Sequence, residues 1–388
     1  MTEMAHGTVV VQSGEAVLPR WWRTVDRVTI GCILALLAIG VLLGFAASPP
    51  LAERNGLDPF HYVMRHAAFG GLALTVMVVV SMLSPTQVRR LAILGFFGAC
   101  AALALLPLFG TDYGQGAVRW FSLGFASVQP SEFLKPVFVI FIAWMITAGH
   151  GAGGPPGKLA ALTVTILIAG VLAMQPDFGQ AALIVFAWCV VYFVAGAPML
   201  MLVAVGALIG VAGVFAYSNS EHFARRIDGF LTPETDPNTQ LAYAANAIRE
   251  GGFFGAGLGE GVVKWTLPDA HTDFIIAVAA EEYGLVLVLV IITLFSVIAL
   301  RAFFRLMRER EPFIRLAGAG LASMLALQAI INMGVAVRLL PAKGMTLPFV
   351  SYGGSSLIAT GAAVGMLLAL TRLRPQGGIG DILLRRQR

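Results

Sequence analysis

Charge is what this sequence has least of. Only 12% of its 388 residues are Asp, Glu, Lys or Arg, against 58% hydrophobic residues and a positive mean hydropathy. That balance excludes an ordinary soluble domain and fits a polytopic membrane protein. Cysteine is scarce too. Cys32, Cys100 and Cys189 each sit inside an apolar run with no Cys-x-x-Cys spacing, so they read as packing residues and neither a disulfide framework nor a zinc site is indicated. A basic stripe is missing. The net charge of +5 gathers at the ends of apolar runs, which argues against a nucleic-acid partner and for a topological signal. No cleavable signal peptide is evident, because the first apolar run is of spanning length with no clear small-residue cleavage site after it. Nor is there an internal repeat, which counts against inverted-repeat transporter folds.

What is present is a series of apolar runs. A bilayer core takes roughly 20 residues of helix, and ten segments qualify, at about 28–47, 62–83, 90–109, 132–149, 158–174, 178–196, 198–217, 279–304, 314–337 and 353–371. The fold class expected is therefore all-α, with about ten transmembrane helices. Residues 1–24 read as a disordered cytoplasmic tail, ending on Arg20 and Arg23 with Trp21 and Trp22 between them as an interfacial anchor. Residues 25–372 form a single transmembrane domain and 373–388 a basic cytoplasmic tail. With the N-terminus inside, the inner connections hold roughly twice as many basic residues as the outer ones, which supports N-in and C-in.

One connection, residues 218–278 between the seventh and eighth spans, is far longer than the rest and falls on the outer face. Long loops in compact proteins usually carry function. This one holds Arg225-Arg226, a turn region from Pro233 to Pro237, a helical-looking Gln240-to-Arg249 segment and a glycine-rich run from Gly251 to Gly259. It closes on Leu267-Pro268-Asp269-Ala270-His271-Thr272-Asp273-Phe274, with Lys264 upstream and Glu281-Glu282 downstream.

Three further polar groups sit at outer helix ends. Arg119-Trp120 precedes Gln129-Pro130-Ser131-Glu132-Phe133-Leu134-Lys135, where Pro130 suits a helix start and Glu132 its first turn. Glu132 and Lys135, three apart, share a face. An ammonium one turn inside a membrane helix is expensive and usually faces a watery cavity or a ligand. In Gln175-Pro176-Asp177-Phe178-Gly179-Gln180, Asp177 fits an N-cap. The last group runs from Arg338 through Pro341-Ala342-Lys343-Gly344-Met345-Thr346-Leu347-Pro348 to Ser351-Tyr352-Gly353-Gly354-Ser355-Ser356. Its glycines and hydroxyls lack the spacing and the strand of a phosphate-binding loop, and the Gly255-Ala256-Gly257-Leu258-Gly259 run lacks the context of a dinucleotide site. A carboxylate such as Asp273 at a membrane surface can deprotonate a hydroxyl; the structural alternative is a helix cap. Asp269, His271 and Asp273 also offer ligands for a divalent cation such as Mg2+ or Mn2+, on weak spacing.

Together, the four groups resemble the SEDS proteins (shape, elongation, division and sporulation), in order, over residues 25 to 372. The Leu267-to-Asp273 and Lys343-to-Pro348 versions are closer to the division branch than to the elongation branch. Departures are Ile275-Ile276-Ala277, where a second Phe is common, and Val337-Arg338, where Gly is common before the Leu339 position. The resemblance implies a peptidoglycan glycosyltransferase that polymerises lipid II in the bacterial inner membrane, at the septum during cell division, with Asp273 as the general base. Arg119, Glu132, Lys135, Lys264, His271, Lys343 and Ser351 are the residues expected to contact substrate. No residue is assigned as a metal ligand, and dependence on a divalent cation such as Mg2+ or Mn2+ stays open. Implied partners are a class B penicillin-binding protein, other divisome proteins and membrane lipid. Gly318, Gly320 and Ala322 offer a flat surface for a single-pass partner. A flippase for the same lipid-linked precursor, an elongation-type polymerase and a division scaffold are the alternatives.

Overall fold

The computed structural model describes residues 17–111, 118–124, 126–149, 154–219, 221, 224–225, 227–228, 240–257, 259–267, 269–340 and 344–374. Apolar helices occupy all ten expected spans: α2 (Arg27–Arg54), α3 (His61–Ser81), α4 (Pro85–Phe109), α5 (Pro130–Ala148), α6 (Gly157–Met174), α7 (Phe178–Val194), α8 (Met199–Asn219), α10 (Ile275–Leu306), α11 (Pro312–Ala336) and α12 (Gly354–Thr371). Nine are long and apolar enough to cross a membrane, and α7 is shorter, at 17 residues. Local chemistry sets several starts. Ser84 and Gln87 exchange hydrogen bonds ahead of Pro85 to open α4, and Asp177 accepts from the Gln180 N–H to open α7.

Three helices form the centre. α5, α11 and α12 bury most of their length, whereas α8 has no buried residue. Phe96 of α4 stacks on Phe141 of α5 at 4.2 Å between ring centroids, the kind of close packing that associates helices where no hydrophobic effect separates them from lipid. Gly318, Gly320 and Ala322 are spent in this core and not on a partner surface: Gly318 packs on Leu306, Gly320 on Val139 and Val191, and Ala322 is buried. Small residues admit close helix approach inside the bundle just as readily as across an interface.

The segment 17–24, expected in the tail, is a short helix, α1 (Val17–Thr24), and so departs from the disorder expected of it. Trp21 is buried and its indole N–H donates to Ser81 Oγ at 2.8 Å, which ties α1 to the end of α3. Residues 1–16 and 375–388 lie outside the described residues, as does the Pro233–Pro237 turn. In the same end of the bundle Asp26 accepts from Arg301 Nε and Nη2 at 3.0 and 2.9 Å, and the Leu373 N–H donates to the Thr24 carbonyl at 3.0 Å.

Within the long connection, α9 (Gln240–Gly251) stands where the helical segment was expected. A two-residue hairpin between α4 and α5, β1 (Phe121–Ser122) with β2 (Ser127–Val128), had no sequence signal. It lies at the end of the bundle opposite Asp26, where all four polar groups meet.

Candidate active site

Those four groups surround a cavity of about 620 Å³. Asp273, Arg119 and Glu132 line it, together with Arg65 of α3, Asp177 and Asp269. The hairpin contributes Ser127 and the adjoining Trp120, and the start of α12 contributes Ser355 and Ser356. Both cations and carboxylates therefore face one space.

Asp273 sits one residue before the N-cap of α10. Its N–H donates to the Asp269 carbonyl at 3.1 Å, and Asp269 takes a left-handed φ of 55° that aspartate tolerates. Asn332, buried in α11, donates from Nδ2 to the carbonyls of Asp273 at 3.0 Å and Met345 at 2.6 Å. Ser351 Oγ donates to the Thr272 carbonyl at 2.5 Å and accepts from the Leu347 N–H at 2.8 Å. The Asp273 backbone is thus clamped to α11 and to the 344–353 loop. Ser351 serves that clamp and does not line the cavity.

A second network closes the opposite wall. Glu132 pairs with Lys135 Nζ at 2.7 Å and accepts from Gln180 Nε2 at 2.5 Å. Lys135 also donates to Gln328 Oε1 at 3.1 Å, and Gln328 Nε2 donates to the Thr346 carbonyl at 3.0 Å. The ammonium is therefore buried behind the cavity wall, where Glu132 and Gln328 satisfy it. Gln129 donates from Nε2 to Asp177 Oδ2 at 3.2 Å and from its N–H to Ser355 Oγ at 3.3 Å. Burial pushes the Asp177 carboxyl above the usual range, against the pull of Arg119. Arg119 itself donates to the carbonyls of Gln175 and Pro176, at 3.1 and 2.7 Å, so it caps the end of α6 while facing the cavity.

Besides Ser351 and Lys135, two further expected residues miss the cavity. The His271 ring packs between Tyr62 and Tyr352, 5.6 Å from each, and borders a narrow cleft with His66 rather than the main cavity. Loss of hydration holds its pKa down at about 4, so the ring is neutral at pH 7. Lys264 is buried in an ion pair with Glu282 and does not line the cavity; a buried ammonium takes the nearest buried carboxylate, which leaves none of its charge for a substrate. Lys343 lies outside the described residues. Among the described residues no three His, Cys, Asp or Glu side chains converge as metal ligands. Asn332 and Arg65 are the residues that sequence reading left out of the site. For Arg65 the signal was a charge within a span.

A bundle of apolar helices enclosing a polar, charge-lined cavity defines a multi-pass membrane protein with a polar site at one end of the bundle. The chain belongs to the cell cycle protein family of FtsW, RodA and SpoVE, whose model matches residues 26–375. It is 41% identical to the probable peptidoglycan glycosyltransferase FtsW of Caulobacter vibrioides, over 92% of this chain and 91% of that one. The corresponding protein of Alkalilimnicola ehrlichii is 37% identical, over 89% of each. Among solved structures, a chain from a peptidoglycan synthase complex that coordinates polymerization and crosslinking superposes with a TM-score of 0.75 at 29% identity, covering 89% of this chain and 97% of that one. The rod shape determining protein RodA of Thermus thermophilus gives 0.66 at 29% identity, with 90% and 97% covered.

Proposed function

We propose that this chain is a peptidoglycan glycosyltransferase that polymerises lipid II at the outer face of the bacterial inner membrane, during septal wall synthesis. The observation that carries the reading is Asp273, a carboxylate at a helix start on the wall of the charge-lined cavity, in a chain related over nine-tenths of its length to proteins named for this activity.

In the reaction, the 4-hydroxyl of the GlcNAc on one lipid II attacks the anomeric carbon of the MurNAc on the growing chain. A C–O bond forms there as the bond to the diphosphate breaks, and undecaprenyl pyrophosphate leaves with the electron pair. Asp273 takes the hydroxyl proton, and attack from the face opposite the leaving group inverts the centre to a β-1,4 link. Arg119, and Arg65 across the same cavity, supply positive charge where the diphosphate develops negative charge. Lys135 acts one layer back, holding Glu132 and, through Gln328, the Thr346 carbonyl.

A penicillin-binding protein of class B is the partner this reading implies, supported by the superposition on a complex that couples polymerization to crosslinking. The deciding experiment measures polymer from purified lipid II in liposomes, with and without that partner, for wild type and Asp273→Asn. Polymer from wild type and none from a folded variant supports the reading. Normal polymerisation by Asp273→Asn removes the carboxylate from the chemistry, and movement of lipid II between leaflets without polymer replaces the enzyme with a transporter.

A further inference from the structure

The carboxylate assigned as base heads a helical segment that soon breaks. Ile275 through Glu282 are all buried, and at Gly284 the backbone leaves the helix with φ 73° and ψ −171°, a conformation that favours glycine. Such a break strands polar groups, which in a membrane protein must find partners within the protein. The glycine-rich run supplies them. The N–H groups of Ala256 and Gly257 donate to the carbonyls of Glu281 and Glu282 at 2.8 and 3.2 Å, and those of Leu285 and Val286 donate to the carbonyls of Gly252 and Phe253 at 3.1 and 3.4 Å. A Cβ on Gly255 would lie 2.2 Å from the Glu282 carbonyl oxygen, so only glycine allows the two backbones this close.

Beside this backbone splice sits a buried charge cluster. Lys264 Nζ contacts Glu282 Oε1 at 2.5 Å and donates to the Gly259 carbonyl at 2.9 Å. The second Glu282 oxygen accepts the Gly259 N–H, and Glu281 accepts the Lys264 N–H at 3.3 Å. The Lys264 and Glu282 side chains are 4% and 0% exposed. Burying such a pair brings little net stability, since desolvation offsets the attraction, while removing one partner leaves a costly unpaired charge.

We infer that Lys264 and Glu282 are positioning residues that lock the broken end of the 275–283 segment to the 251–264 loop and so fix Asp273, at the other end of that segment, against the cavity. The inference rests on the reading of Asp273 as base. A tilt at one end of a rigid helical segment displaces its other end, and a displacement of about 1 Å at a reacting group can cost roughly 100-fold in rate. The function of this part of the long loop is then bracing, and the glycine run is the brace's contact surface.

The test compares full-length wild type with Lys264→Met, Lys264→Arg and the charge-free pair Lys264→Met/Glu282→Met, which leaves no buried charge unpaired should the single variant fail to fold. Lipid II polymerisation gives kcat and KM, and hydrogen exchange follows the amides of residues 269–276. We expect kcat for Lys264→Met to fall roughly 100-fold with KM within about threefold, Lys264→Arg to recover most of the loss, and the 269–276 amides to exchange faster in Lys264→Met and in the double variant while those of 301–306 do not. Unchanged kcat in a folded Lys264→Met overturns the inference, as does a raised KM at constant kcat, which would place Lys264 on the substrate. Should wild type make no polymer at all, the functional reading fails on its own, and exchange at 269–276 alone decides this one: no change in the variants overturns it.

Discussion

The two ends of the bundle use polar side chains for different purposes. At the far end, arginines close helix termini: Arg305 donates to the Thr371 carbonyl at 3.0 Å, Arg372 to those of Ser81 and Met82 at 3.2 and 3.1 Å, and Asp26 holds Arg301. These are contacts between regular helices. At the cavity end, buried side chains hold irregular backbone: Asn332 on Asp273 and Met345, Ser351 on Thr272, Gln328 on Thr346. Regular helices satisfy their own backbone groups, and only a wall that must present loops to a polar space needs side chains to do so. A change at the far end should therefore cost stability alone, whereas a change at the cavity end should cost activity.

The sharpest break in that contrast is Asp273→Asn, for which we expect kcat for polymerisation to fall by about 10²–10⁴-fold with no loss of thermal stability in detergent. Asn332→Ala comes next. Losing a donor to two buried carbonyls should cost about 1–3 kcal/mol of stability and should also lower kcat, because the Asp273 carbonyl loses its anchor; melting curves and turnover measured on the same preparation check both. Asp26→Ala tests the other end. With Arg301 39% exposed, the loss should be modest, about 1–2 kcal/mol, and kcat should stay at the wild-type value. Normal stability with reduced turnover would reverse the contrast.

A smaller effect concerns pH. His271 has a folded-state pKa of about 4, below its ordinary value, so the unfolded chain binds the proton more readily. Its contribution is fully present above about pH 6.5 and is lost as pH falls toward 4. Melting temperature should drop across that window, and less steeply in His271→Gln. The smallest effect is a gain. Arg338 takes a left-handed φ of 60°, where a side chain clashes and glycine does not. Arg338→Gly should leave stability unchanged or raise it by up to about 1 kcal/mol, read from the melting temperature.

The spans were legible because a bilayer demands long apolar runs, and the Asp177 cap and the Glu132–Lys135 pair because they are local, at three residues' separation. Contacts between distant segments were not. Nothing near Lys264 distinguishes a substrate contact from a brace on Glu282, and nothing near Asn332, an amide late in an apolar run, says that it reaches Asp273. The missing glycine before Leu339 was visible in the sequence, but its reason, the backbone angle at Arg338, was not. Gly284 likewise reads as one small residue among many in a membrane helix, and the break there emerges only once the glycine-rich loop lies against it.

One contact at the far end has a practical reach. Because the Leu373 N–H rests on the Thr24 carbonyl, the end of α1 and the residues just after α12 meet at one pole, with the cavity at the other. A reporter domain attached directly after Leu373 would begin at the pole away from the cavity. The same adjacency makes the chain a candidate for circular permutation, with Leu373 joined to the start of α1 through a linker long enough to span that helix, so that Trp21 is kept, and new ends opened in an exposed connection elsewhere.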